Sequence, residues 1–303
     1  MNTPQFRPLT FGVTRVSLRD GAPGVHYLRA DQPLQAYPNR MTDRLEHWAR
    51  TVPQRTLMAR RVKLPDGTTG DWQHLSFGQA WQRARSIAQG LIDRGLSVER
   101  PVVILSENDL EHAQLALGCM LAGVPFVPTS PPYSLVSQDF DKLRHVLATV
   151  TPGLVFAADG ARYGRAIAAT VGQDTEVVLT TGQLADRSAT RFEDLAATVS
   201  TDAVDRAIAA TGPDTIAKIL FTSGSTGQPK GVINTHRMMC VNQAMTAALR
   251  TGAGDRPVTL SWLPWNHTMG GNALFNRNMR LGGTLYLDDG RPLPGEFART
   301  IRN

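Results

Sequence analysis

Apolar positions along the chain set a recognisable frame. At Ala80, Trp81, Ala84, Ile87, Ala88 and Leu91 they recur at the spacing of one helix face. Ser76-Phe77-Gly78-Gln79 supplies a start signal: the serine oxygen and the glutamine side chain each take a backbone N–H that the first turn leaves free. Gly95 supplies the stop. A shorter helix is predicted before it, with Thr42 as N-cap and Leu45, Trp48 and Ala49 on one face. Val102 to Leu105 is an apolar run of strand length, followed by a helix from Asp109 to Leu121 that Gly123 closes. Phe126 and Val127 open another strand, cut off by Pro128 and the Pro131-Pro132 pair. Leu154 to Phe156 and Val177 to Leu179 read as strands. Ile216 to Phe221 is a further strand, interrupted only by Lys218, and Thr235 to Arg250 reads as a helix.

Strands that alternate with helices at this spacing predict an α/β fold, mostly parallel sheets flanked by helices. Ligands of such sheets collect at the carboxyl ends of the strands. Residues 1–40 show weak periodicity and many turn residues, which predicts an irregular N-terminal extension. A first α/β subdomain is expected over 41–214 and the start of a second over 215–303, joined through the Ala/Asp/Thr-rich stretch 198–215.

Composition removes several function classes. The formal charge is +6, but the basic residues are scattered among acids. Lysine occurs only at Lys63, Lys142, Lys218 and Lys230, so the other 28 of 32 basic residues are arginine. No basic run is interleaved with aromatics, so no nucleic-acid partner is expected. The longest apolar-leaning run, Leu115 to Pro128, is too short for a bilayer and is broken by Gly118, Gly123 and Pro125; no membrane partner is expected. The opening MNTPQFRPLTFGV has no basic segment followed by an apolar one, and a cytoplasmic location is expected. Cys119 and Cys240 lie in apolar helical stretches and read as buried thiols. No set of protein side chains reads as a metal site.

The candidate chemistry is concentrated in FTSGSTGQPKGV, residues 221–232. Glycines let backbone N–H groups approach an anion closely. Thr222, Ser223, Ser225 and Thr226 add neutral donors, and Lys230 adds a mobile positive charge. The loop leaves a strand and precedes a helix, which is where a parallel sheet offers a ligand site. It is not a Walker A loop: counted from Gly224 the sixth residue is Pro229, and Gly231 rather than a hydroxyl follows Lys230. That spacing disfavours a P-loop NTPase. Downstream, TLSWLPWNHTMGG (259–271) reads as a strand emptying into a polar loop at Asn266-His267-Thr268.

IAKILFTSGSTGQPKGV resembles the phosphate-binding signature of the adenylate-forming superfamily, which includes acyl-CoA synthetases, peptide-synthetase adenylation domains and firefly-type luciferases. LSFGQAWQRARSIAQGLIDRGLSVERPVVIL and LALGCMLAGVPFVPTSPPYS resemble the N-terminal segments of that family and extend the likeness to roughly residues 40–303. LPWNHTMGGN and LGGTLYLDDGRP are similar to the feruloyl-CoA synthetase branch, which activates hydroxycinnamic acids.

The resemblance implies an AMP-forming acid–CoA ligase that takes a small carboxylic acid, ATP and CoA, with Mg²⁺ bridging phosphate oxygens. It implies catalytic roles for His267 and Lys230. Phosphate binding would fall to Thr222, Ser223, Gly224, Ser225, Thr226, Gly227 and Lys230. The acyl side would be shaped by Trp265, Asn266, His267, Gly270 and Gly271. Other family features are missing between Met1 and Asn303: a Y-G-x-T-E-like motif, the adenine- and ribose-binding motifs, and the mobile C-terminal domain with its own catalytic lysine. Two alternatives stay open: a non-catalytic or complementing fragment that binds phosphate ligands, and another acyl-adenylating enzyme such as a peptide-synthetase module; a complementing C-terminal half or a homo-oligomer is the partner expected besides the small molecules.

Overall fold

The structure is a computed structural model that describes residues 12, 15–64, 66, 68–222, 227–249 and 256–288. In chain order it runs β1 (Val16–Asp20), β2 (His26–Ala30), α1 (Thr42–Thr51), β3 (Thr56–Lys63), β4 (Thr69–Ser76), α2 (Phe77–Asp93), β5 (Val102–Leu105), α3 (Leu110–Ala122) and β6 (Phe126–Pro128). There follow α4 (Pro132–Leu135), α5 (Asp141–Val150), β7 (Leu154–Asp159), α6 (Gly160–Thr170), β8 (Glu176–Thr181), β9 (Thr190–Arg191), α7 (Phe192–Ala196) and α8 (Asp202–Ala210). The last elements are β10 (Ile216–Thr222), β11 (Lys230–Thr235), α9 (His236–Ala248), β12 (Val258–Ser261), a π-helical turn (Met269–Leu274), α10 (Phe275–Leu281) and β13 (Thr284–Leu287).

Seven strands form one sheet in the order β11-β10-β6-β5-β7-β8-β9, parallel except where β10 meets β11. Four more form β12-β13-β3-β4, with β12, β13 and β3 parallel and β4 antiparallel. The α/β class with mostly parallel sheets is as the alternation of apolar runs predicts. β5 lies inside the larger sheet and is buried at every position, as a strand covered on both faces must be. Its side chains alternate: Val102 and Ile104 join one core cluster, Val103 and Leu105 the other.

The first cluster lies between the sheets and is filled by α2 and α3. Phe77, Ile87 and Leu91 of α2 meet Leu115, Leu117 and Leu121 of α3, with Met58 and Leu285 from the smaller sheet. The second cluster covers the opposite face with α5 and α6 through Leu143, Val146, Tyr163 and Ile167. The α2 capping box is present: Gln79 N donates to Ser76 Oγ at 3.2 Å and Ser76 N to Gln79 Oε1 at 2.9 Å. Asp109 caps α3, and Gly123 ends it in the left-handed region (φ 70°), where a side chain would be strained. Both cysteines are buried free thiols; burial pushes the Cys240 thiol up to about 12 and Cys119 higher still.

Several expectations are corrected. Residues 16–30 are not irregular: β1 and β2 pair antiparallel from Val16–Ala30 to Asp20–His26. Every residue of that hairpin is exposed, so it carries no buried alternation from which to read it. Thr42 is the first residue of α1 rather than its cap; Met41 precedes it with helical angles (φ −62°, ψ −32°) and makes no side-chain cap bond. β3 and β4 escape a periodicity reading because Arg60, Arg61 and Lys63 crowd the first and exposed polar residues fill the second. Finally, strands from both sides of the boundary expected at residue 214 share each sheet: β10 pairs with β6, and β13 pairs with β3. The stretch 198–215 carries α8, whose Val204 is fully buried in the first cluster.

Candidate functional site

β10 and β11 form an antiparallel hairpin at the edge of the larger sheet, and Thr222 pairs directly with Lys230. The hydroxyl-rich loop therefore turns back into a strand rather than entering a helix. This corrects the strand-to-helix expectation; α9 starts only at His236, capped by Thr235, whose Oγ1 accepts from Met238 N. Ser223, Gly224, Ser225 and Thr226 lie outside the described residues. Gly227 adopts φ 85° with open space where a Cβ would stand, so only the backbone conformation demands glycine there. Thr222, Gly227 and Lys230 are exposed, whereas Pro229 is buried. The Pro229 carbonyl accepts from His145 Nε2 of α5 at 2.9 Å. A carbonyl can only accept, so that ring nitrogen carries its hydrogen.

The second half of the site follows β12. Asn108, just beyond the carboxyl end of β5, clasps this segment twice: its Nδ2 donates to the Leu263 carbonyl at 2.8 Å and its Oδ1 accepts from Trp265 N at 2.9 Å. The Trp265 ring, 5% exposed, packs edge-on against His112 of α3 (5.0 Å) and Phe275 of α10 (5.1 Å). It supports the segment from within the core. Asn266, Gly270 and Gly271 are buried, and His267 is exposed. A Cβ on Gly270 would strike the backbone at Leu263 and Pro264, and one on Gly271 the Trp265 carbonyl.

Three polar contacts join the halves. Lys218 Nζ of β10 donates to the Gly271 carbonyl at 2.9 Å. Asn272 Nδ2 donates to Asn234 Oδ1 of β11 at 2.8 Å, and Gln243 of α9 donates to the Asn272 carbonyl at 3.0 Å. Asn272 Oδ1 and Asn276 Nδ2 are buried with no hydrogen-bond partner among the described residues. Burial brings the Lys218 ammonium down to about 7. Burial also lowers His112 to about 4, with the nearby Lys218 adding to it; the neutral ring donates from Nδ1 to the Glu107 carbonyl at 3.2 Å.

A third polar group stands beside Asn108. Arg60 of β3 holds Glu111 through two bonds, at 2.6 and 3.0 Å, and also donates to Asp109. A buried carboxylate, Glu111, and a half-buried one, Asp109, share one cation. Burial, then the neighbouring Glu111, pushes Asp109 up to about 7. Burial raises Glu111 too, but the Asp109 hydrogen bond and Arg60 outweigh it and hold that carboxyl below its usual range.

Most of these supports were not read from the sequence. Asn108, His145, Asn234, Gln243 and Asn272 sit far apart along the chain and carry no local signal. Lys218 did carry one, as a charge inside an apolar strand. Among the described residues no group of three or more His, Cys, Asp or Glu could hold a metal ion, and no helix is long and apolar enough to cross a membrane.

Comparison with known proteins gives the family and the fold. The model of the family described as AMP-binding enzyme matches residues 45–303. A Mycobacterium leprae protein named as a fatty-acid–CoA ligase, fadD21, is 33% identical over 210 residues, covering 66% of this chain and 34% of its own length. The 4-hydroxyphenylalkanoate adenylyltransferase of Mycobacterium marinum is 28% identical over 214 residues, 68% of this chain and 31% of its own. Among solved structures, a fatty acyl-adenylate ligase from L. pneumophila, in complex with acyl adenylate and pyrophosphate, superposes with a TM-score of 0.60 at 21% identity. That match covers 82% of this chain and 39% of the other, and it shows a shared fold. The chain spans about a third of the length of these curated relatives.

Proposed function

The chain belongs to the AMP-binding enzyme family, and we propose that it is the N-terminal part of an AMP-forming acid–CoA ligase that activates an aromatic, hydroxycinnamic-type carboxylic acid. The observation that carries this reading is the bonding of the Thr222–Lys230 hairpin to the His267 turn through Lys218–Gly271 and Asn234–Asn272. A reaction that joins two anions needs a cationic, donor-rich seat for one beside a shaped seat for the other.

In the first step a carboxylate oxygen bonds to the α-phosphorus of ATP. The bond from that phosphorus to the bridging oxygen breaks, and pyrophosphate departs with the electron pair. CoA sulfur then takes the acyl group, loses its proton, and AMP leaves. On this reading the Thr222–Lys230 segment holds the β- and γ-phosphates, with Lys230 offsetting their charge. His267, at the exposed lip of the second half, stands on the carboxylate and α-phosphate side, and Asn266, Gly270 and Gly271 shape the floor beneath it. Trp265 stiffens that floor from below. Mg²⁺ would arrive on phosphate oxygens; no described carboxylate cluster is built to hold it. The hydroxycinnamic choice rests on the likeness of LPWNHTMGGN and LGGTLYLDDGRP to the feruloyl-CoA synthetase branch.

The test is ATP–pyrophosphate exchange on the purified chain with ferulate, benzoate and a long-chain fatty acid, beside Lys230→Ala. Ferulate-dependent exchange that the substitution abolishes supports the reading. Exchange with the fatty acid alone sinks the aromatic assignment. No exchange with any acid, from a folded chain, supports a phosphate-binding fragment that needs a complementing half.

A further inference from the structure

A lysine is expensive to bury in the middle of a sheet. Lys218 is 3% exposed and sits between β6 on one side and β11 on the other. An apolar residue would fill that place at lower cost. What lysine adds is reach. Its four-carbon stem carries Nζ past the Phe126 ring, 5.7 Å from the ring centre, to the Gly271 carbonyl at 2.9 Å. Gly271 is bonded on both sides: its N–H donates to the His267 carbonyl at 2.8 Å while its own carbonyl accepts from Lys218. It also lies so close to the Trp265 backbone that a side chain there would collide. One residue thus ties the backbone of His267 to β10, and the last residue of β10, Thr222, opens the phosphate loop and pairs with Lys230.

A π-helical segment at this point strengthens the argument. Six residues, Met269–Leu274, are wound more widely than an α-helix, a geometry that is rare and kept up by its surroundings. The Lys218 bond is made to a carbonyl inside this segment.

We propose that Lys218 is a positioning residue that fixes the His267 turn against the strand feeding the phosphate loop, and so sets the separation between the two halves of the site. Its kinetic consequence rests on the adenylation reading; its structural consequence does not.

The test is amide hydrogen exchange on the purified chain, read over residues 266–275 with β5 as control. Lys218→Met keeps the length of the stem and removes the donor. Lys218→Gln keeps an uncharged N–H. Exchange over 267–274 is expected to quicken about tenfold in the Met variant and less in the Gln variant, with β5 unchanged in both. With an acid that the chain activates, kcat for pyrophosphate exchange is expected to fall about tenfold in the Met variant while KM for ATP stays within about twofold. A general loss of packing would not produce that split. Unaltered exchange in the turn of Lys218→Met overturns the proposal. So does an equal loss of protection in β5 and the turn in both variants, which makes Lys218 a core residue only. An unchanged kcat in an active chain overturns it as well. Failure of the adenylation reading is seen separately, as absent exchange of pyrophosphate in the unsubstituted chain.

Discussion

Lys230 to Ile233, the first four residues of β11, are solvent-exposed, and the hairpin they belong to is held by its own strand pairing and by His145 on the Pro229 carbonyl. The segment from Trp265 to Gly271 is built otherwise. Four of its residues are buried, and side chains from Asn108, Lys218, His112 and Phe275 reach it from four other elements. The contrast suits the two tasks assigned to them. A seat for a highly charged, hydrated ligand gains from open donors and room to adapt. A seat that orients a reacting carboxylate gains from a backbone fixed before the ligand arrives.

The contrast breaks most sharply at Lys230. If the hairpin acts through its free donors, Lys230→Ala lowers acid-dependent ATP–pyrophosphate exchange by about 10²-fold while the thermal midpoint stays in place. A midpoint that falls with activity would make Lys230 part of the scaffold instead. The matching experiment on the other side is Asn108→Ala. It strips a half-buried carbonyl and a half-buried N–H of partners at once, and is expected to cost about 1 to 2 kcal/mol of stability by denaturant titration. An unchanged midpoint would show that the segment is held without Asn108.

Burial of Lys218 sharpens the comparison through pH. Burial holds its folded pKa at about 7, below the ordinary lysine value of 10.5. Between those limits the unfolded chain binds the extra proton, so stability rises with pH across that window and is flat with respect to this group below it. Above pH 7 the difference in unfolding free energy between the unsubstituted chain and Lys218→Met isolates the group, because Asp109 and His236 are common to both and His112, which Lys218 helps to lower, is already neutral there. That difference is expected to grow in favour of lysine by about 1 kcal/mol per pH unit above pH 7. A pH-independent difference would mean that Lys218 is solvated in the folded chain.

What could be read in advance follows the same division. The sheet class, the α2 and α3 helices and the signature of the hairpin are legible because they rest on local rules: apolar period, capping residues, glycine spacing. Ser76-Gln79 and Asp109 behave as their types dictate. The hairpin return into β11 is not legible, since Lys230 to Ile233 are exposed and show no alternation. Nor is the clasp at Asn108, whose partners lie more than 150 residues away. Side-chain to backbone bonds between distant segments leave no periodic trace. The two sheets also draw strands from both ends of the chain, so a boundary placed by linear order misses the pairing of β3 with β13.

The smallest expected effect lies where the hairpin borrows support. His145 Nε2 donates to the Pro229 carbonyl, and Pro229 has no N–H of its own to anchor it. Among the described residues, that bond and the pairing of Thr222 with Lys230 hold the chain between Gly227 and Lys230. His145→Phe is therefore expected to raise KM for ATP by about threefold to tenfold, the range of one modest hydrogen bond, with kcat nearly unchanged. His145→Gln, whose amide can still donate, is expected to recover part of that loss. If His145→Phe instead lowered kcat as strongly as Lys218→Met, the hairpin would be as rigidly positioned as the His267 turn, and the contrast between an adaptable seat and a fixed one would fall.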